Sequence, residues 1–241
     1  MRGVEASEDD GNRNYGETWV YESIVGAIPG IGISDVRAVA VQFVIFEVGV
    51  IALGSLYGIR RAVLAGTAAV VVAAMGSAIM LNLGKRIRRL NPPKSYTSLL
   101  FGSSIEIVLG LLAYVALVTY LFVFDARQGG VPLVENLLGS QPPVLVTYLM
   151  LLILWDVCYR IGTGWWASVV GFWRSYTCRE ELDNKTTRGL LHADILTIGF
   201  ASTQLILVPF VWGHPLLGYA VVGHVIAVMV VSGCSIWLLS R

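Results

Sequence analysis

Charge is scarce in this chain. Asp, Glu, Lys and Arg make up 14% of its 241 residues, against about 25% in soluble domains. That deficit excludes an ordinary soluble surface and places the chain in the membrane class. A net charge of +1 offers no basic field for nucleic acid, and no nucleic-acid partner is expected. Cysteine is scarce too. Cys158, Cys178 and Cys234 show no CxxC, no metal-like spacing and no disulfide framework. They read as small apolar residues in or near helices. The signatures GxxxxGK[ST], HExxH and GxSxG are absent, which removes the usual phosphate, zinc and serine-nucleophile readings. His192 and His214 flank the fifth apolar run and only His224 lies deep in a run, so no paired haem ligands are expected. No catalytic residue, metal or cofactor is assigned, and the chain is not read as an enzyme. The first apolar run follows a polar, acidic start rather than a short basic one, so no cleavable signal peptide is expected.

What the chain does have is apolar length, with 56% of residues hydrophobic. Residues 1–18 are acidic and amide-rich and are expected to be a disordered tail. Residues 19–36 are apolar but interrupted by Pro29, Gly30 and Gly32. They read as an interfacial segment, with Trp19 and Tyr21 at headgroup level. Residues 37–241 read as a transmembrane helical domain. Six apolar runs, at about 38–57, 62–83, 99–124, 143–162, 194–212 and 216–239, each approach the roughly 20 residues that cross a bilayer. The expected fold is therefore all-α, a multi-pass bundle of six transmembrane helices in the cell membrane. The connections after the first and fifth runs are short enough to make antiparallel hairpins. VPLVENLLG, behind Pro132, suits a short surface helix.

Cation counts give an orientation. Lys85, Arg86, Arg88, Arg89 and Lys94 fall in the second connection, and Arg174, Arg179, Lys185 and Arg188 in the fourth. With six crossings these share a side with both termini, which are expected to be cytoplasmic. Arg60 and Arg61 stand against the pattern on the opposite side. Two halves of three helices would have opposite topology, as in inverted-repeat transporters, although no alignable similarity joins them.

The fourth run dominates. PPVLVTYLMLLILWDVCYRIGTGWWASVVGFWR, from Pro142 to Arg174, would extend about 48 Å as one helix. A break or bend at Gly162–Thr163–Gly164 is expected, leaving Trp165, Trp166, Phe172, Trp173 and Tyr176 as an aromatic belt. A straight, tilted helix is the alternative.

Charge inside a membrane costs several kcal/mol, roughly 2.5–3.5 at the helix centre. Glu47, Glu106, Asp156, Arg160, Gln204 and His224 are the polar groups expected there. Asp156 and Arg160, four apart, share a helix face and can pair. Low dielectric disfavours the uncompensated charge of the other acids. At least one of Glu47 and Glu106 is therefore expected to be neutral or to bridge to Arg160, which would require the first, third and fourth helices to meet. Gly54 and Gly58 on the first helix, and Gly102, Ser103 and Gly110 around Glu106, are the small residues that would allow it. KRIRRL reads as an inside anchor, with anionic headgroup binding a lesser reading. RSYTCREELDNKTTRG reads as a solvated, partly helical loop.

With Glu106, WDVCYRIGTGWWASVVGFW and YESIVGAIPGIGISD in view, the chain resembles an uncharacterised multi-pass membrane protein family of halophilic archaea. The resemblance implies an archaeal cytoplasmic membrane and carries no activity or site residues. Three functions compete. A small transporter or channel-like protein would use the buried acids and Arg160 as a polar route. A non-catalytic scaffold or accessory subunit would use the same groups only to fix helix packing. An intramembrane enzyme acting on a lipid-like substrate lacks a nucleophile constellation. Membrane lipids are the expected partners, with a homo-oligomer or a membrane partner also open.

Overall fold

The computed structural model describes Thr18, Trp19 and residues 35–241. The expected tail over 1–18 and interfacial segment over 19–36 lie almost wholly outside the described residues. Trp19 itself is buried, its ring edge-on to Phe101 at 4.8 Å.

Among the described residues the fold is all helix, with no strand. Six helical segments are long and apolar enough to cross a membrane, the architecture expected of a membrane protein. The helices are α1 (Asp35–Leu56), α2 (Arg60–Leu90), α3 (Lys94–Gly102), α4 (Ile105–Thr119), α5 (Leu133–Leu138), α6 (Val144–Thr177), α7 (Asn184–Thr203) and α8 (Pro215–Leu239). A π-helical turn, Tyr120–Phe124, prolongs α4, and a 3-10 segment, Gln204–Phe210, prolongs α7. Helix α6 is the axis of the bundle and packs against α1, α2, α3, α4, α7 and α8.

The expected break at Gly162–Thr163–Gly164 does not occur. Helix α6 runs unbroken through 34 residues, about 14 more than a crossing needs. Its glycines serve packing instead. A Cβ on Gly162 would lie 2.5 Å from the Gly110 amide nitrogen, so α4 and α6 touch backbone to backbone. Helix α2 has 31 residues and is likewise too long for a crossing. Lys85, Arg86, Arg88 and Arg89, expected in a connection, are part of it. These cations close α2, and the last turns of α6, through Arg174, lie at the same, basic end.

The third run is divided where no break was expected. Ser104 has a φ of 53° and separates α3 from α4. Gly102 and Ser103 therefore do not share a helix with Glu106, whereas Gly110 does and meets the backbone of α6 at Tyr159 and Gly162. Gly58 is also not part of a packing motif. It takes a φ of 69°, with nothing near its missing Cβ, and turns the chain from α1 into α2.

Three apolar layers stack along α6. At the basic end Leu83, Ile87, Leu100, Phe101, Val170 and Leu190 enclose a core. Val50, Ala69, Ala73, Ile153 and Val157 form the middle layer. Leu121, Leu133, Leu138 and Val146 form the layer at the end opposite the basic one.

The supposed loop over RSYTCREELDNKTTRG is mostly helix. Its pivot is Asp183, which caps α7 by accepting a hydrogen bond from the Thr186 amide at 3.1 Å. Hydrogen bonding from Thr186, through side chain and amide, holds the Asp183 carboxyl below the ordinary carboxylate range. A carboxyl lowered in the fold stabilises above its ordinary value and loses that contribution as the pH falls. Asp183→Ala should thus melt earlier than wild type at neutral pH, and the gap should close in acid. Thermal melts across that range check it, and a gap independent of pH would contradict the cap.

Candidate functional site

Each apolar layer encloses one buried acid–base pair. In the middle layer Arg160 Nη2 donates to Asp156 Oδ1 at 2.9 Å, one turn apart on α6. Gln42 of α1 donates to Asp156 Oδ2 at 2.9 Å, and Arg160 is 1% exposed. The carboxylate thus has a cation on one oxygen and an amide on the other. Burial of a charge is tolerable only with such pairing.

The other expected members each have their own surroundings. Glu106 is 0% exposed in the first turn of α4, where the helix dipole favours a negative charge. It lies one turn from Gly110, whose backbone meets Tyr159 and Gly162, so the acid is carried to the α4–α6 seam. Glu47 is not part of this arrangement. Its Oε1 accepts from Thr67 of α2 at 2.7 Å, and it makes no ion pair among the described residues. The reason is register: Glu47 faces Thr67 of α2, whereas Gln42, five residues earlier on α1, faces Asp156 of α6. Gln204 is 1% exposed, at the junction where α7 tightens into its 3-10 segment. His224 is half-buried, with its ring 6.0 Å from Trp165.

The most complete polar network was not foreseen. Arg174, expected as a basic exit, is 0% exposed inside α6. Its Nη2 donates to Asp194 Oδ2 of α7 at 2.7 Å, and Nη1 donates to the Tyr96 hydroxyl of α3 at 3.4 Å. Ser235 of α8 donates to the same Asp194 oxygen at 2.7 Å. Four helices meet at this one guanidinium. A signal for it does exist in the sequence. Gly164, Ser168, Gly171 and Ser175 recur at helical spacing beyond the first twenty residues of the run, and Ser232 and Ser235 answer them on α8. The Ser232 hydroxyl donates to that of Ser168 at 3.1 Å.

The third pair joins the chain around α5. His214 Nδ1 lies 2.8 Å from Asp125 Oδ1. Asp125 Oδ2 accepts from the Leu133 amide at 2.6 Å, which supplies a partner for an otherwise orphan donor at the start of α5. Among the described residues no three His, Cys, Asp or Glu side chains gather as a metal site would need. Cys158, Cys178 and Cys234 are free thiols.

A family described as being of unknown function (DUF7530) matches residues 14–235, and the chain belongs to that family. No curated protein and no solved structure matches it.

Proposed function

We propose that this membrane protein is a non-catalytic scaffold or accessory subunit, in which the buried acid–base pairs fix how the helices pack. The Arg174–Asp194 network carries the reading. It ties α3, α6, α7 and α8 through side chains of the protein, and such a network is suited to holding helices in register. On the positive-inside pattern both termini face the cytoplasm, and the resemblance noted above favours an archaeal cell membrane.

A small transporter is the second reading. A cavity of about 10 Å³ bordered by Gln42 and Asp156 favours it, since that is about the space one water needs. An intramembrane carboxylate beside a water is what a proton path uses.

Flux separates the two. Wild-type protein in vesicles loaded with a pH-sensitive dye should relax a proton gradient no faster than empty vesicles. Asp156→Asn, Glu106→Gln and Glu47→Gln should leave that rate unchanged, with Glu47→Gln also keeping a monodisperse elution profile. Gradient collapse by wild type that Asp156→Asn abolishes would establish transport instead.

A further inference from the structure

A cavity of about 140 Å³ lies between α1, α2, α5 and α6 at the end opposite the basic one. Val50, Ala65, Ala69, Leu137, Met150 and Ile153 are among its walls, and no polar side chain lines it. A dry apolar cavity of nearly this size, about 150 Å³, is known to admit small apolar molecules. Water finds no partner here, and a helix, at roughly 10 Å across, is too wide. The depth suits an extended hydrocarbon. From Ala62 to Ala69 the wall of α2 descends about 10 Å, starting at the interface that Arg60 and Arg61 mark.

The rim is cationic. Arg60 and Arg61 directly precede the first α2 residue in the wall, and Arg61 Nη1 donates to Asn136 Oδ1 at 3.2 Å, which ties α5 across the cavity. Arg127 lies at the same end. Asp125 there is engaged by His214, leaving Glu135 as the one acid of α5. We propose that this cavity holds a segment of one hydrocarbon chain of an anionic membrane glycerophospholipid, with the headgroup phosphate at Arg60 and Arg61. Those two arginines contradict the positive-inside pattern, and a bound anion gives them a role on that side.

The test uses full-length protein in phosphatidylcholine nanodiscs doped with phosphatidylglycerol bearing a diazirine in its acyl chain. Peptide mapping after photolysis should concentrate label on Leu137, Met150 and Ile153. Ala65→Phe fills the cavity. Excluding even two methylenes weakens binding by roughly tenfold, and label at these positions should fall accordingly. Arg60→Gln with Arg61→Gln should reduce phosphatidylglycerol labelling to the level of a phosphatidylcholine probe. Should Ala65→Phe not yield folded protein, the wild-type map and the arginine pair decide. Label spread evenly over the outward-facing Val108, Leu112 and Val115, or equal labelling of wild type by both probes, would overturn the proposal.

Discussion

Asp194→Ala is expected to be the most damaging single substitution in the described chain. It strands the Arg174 guanidinium, 0% exposed, without its carboxylate. Removing one member of a buried ion pair costs about 3–5 kcal/mol, because the remaining charge is uncompensated. That is a large share of the stability of any fold. Asp194→Asn should be little better, since the amide keeps the shape but not the charge. The pair of changes Arg174→Met and Asp194→Leu should recover most of the loss, because no charge is then left behind. Melting followed by size-exclusion of the detergent-solubilised protein measures all three. A melting point for Asp194→Ala equal to that of wild type would show that the network is ornamental.

Gly162→Ala follows with a loss of about 1–3 kcal/mol, the usual effect of forcing atoms into a packed interior. The obstacle is unusual in kind. The new Cβ would meet the Gly110 amide nitrogen at 2.5 Å and its Cα at 2.9 Å, and backbone atoms have no rotamer by which to withdraw. Helices α4 and α6 must separate, and Glu106 sits one turn away on the same seam. Gly223→Ala is the matched control, being helical with nothing within 4 Å of its added Cβ, and should melt like wild type. If both substitutions behave alike, the two helices are not in register through their backbones.

The six crossings were legible because twenty apolar residues in a row have few other uses. The Asp156–Arg160 pair was legible because four-residue spacing on a helix dictates adjacency. What escaped were features that a window of one crossing hides. Arg174 follows aromatic residues at the expected end of a span, where a cation ordinarily meets water. Only the small residues continuing through Ser175 announce that the helix goes on and stays covered. The division at Ser104 follows Gly102, the last residue of α3, but a glycine beside a buried acid also suits close helix packing, and that reading hid the break. Gly58 fell into a GxxxG spacing by coincidence, since its positive φ ends the helix on which that motif depends. Glu47 could not be placed from one chain, because the partner that claims it, Thr67, is an ordinary hydroxyl in a run of small residues.

The layering along α6 has a consequence for how damage accumulates. Arg160 and Arg174 are 14 positions apart on one uninterrupted helix, about 21 Å, and each answers to its own acid inside its own apolar shell. Sites so far apart with no shared neighbours behave independently to within a few tenths of a kcal/mol. The molecule is thus built in storeys. An injury on one floor is simply summed with an injury on another, while two injuries on the same floor are not.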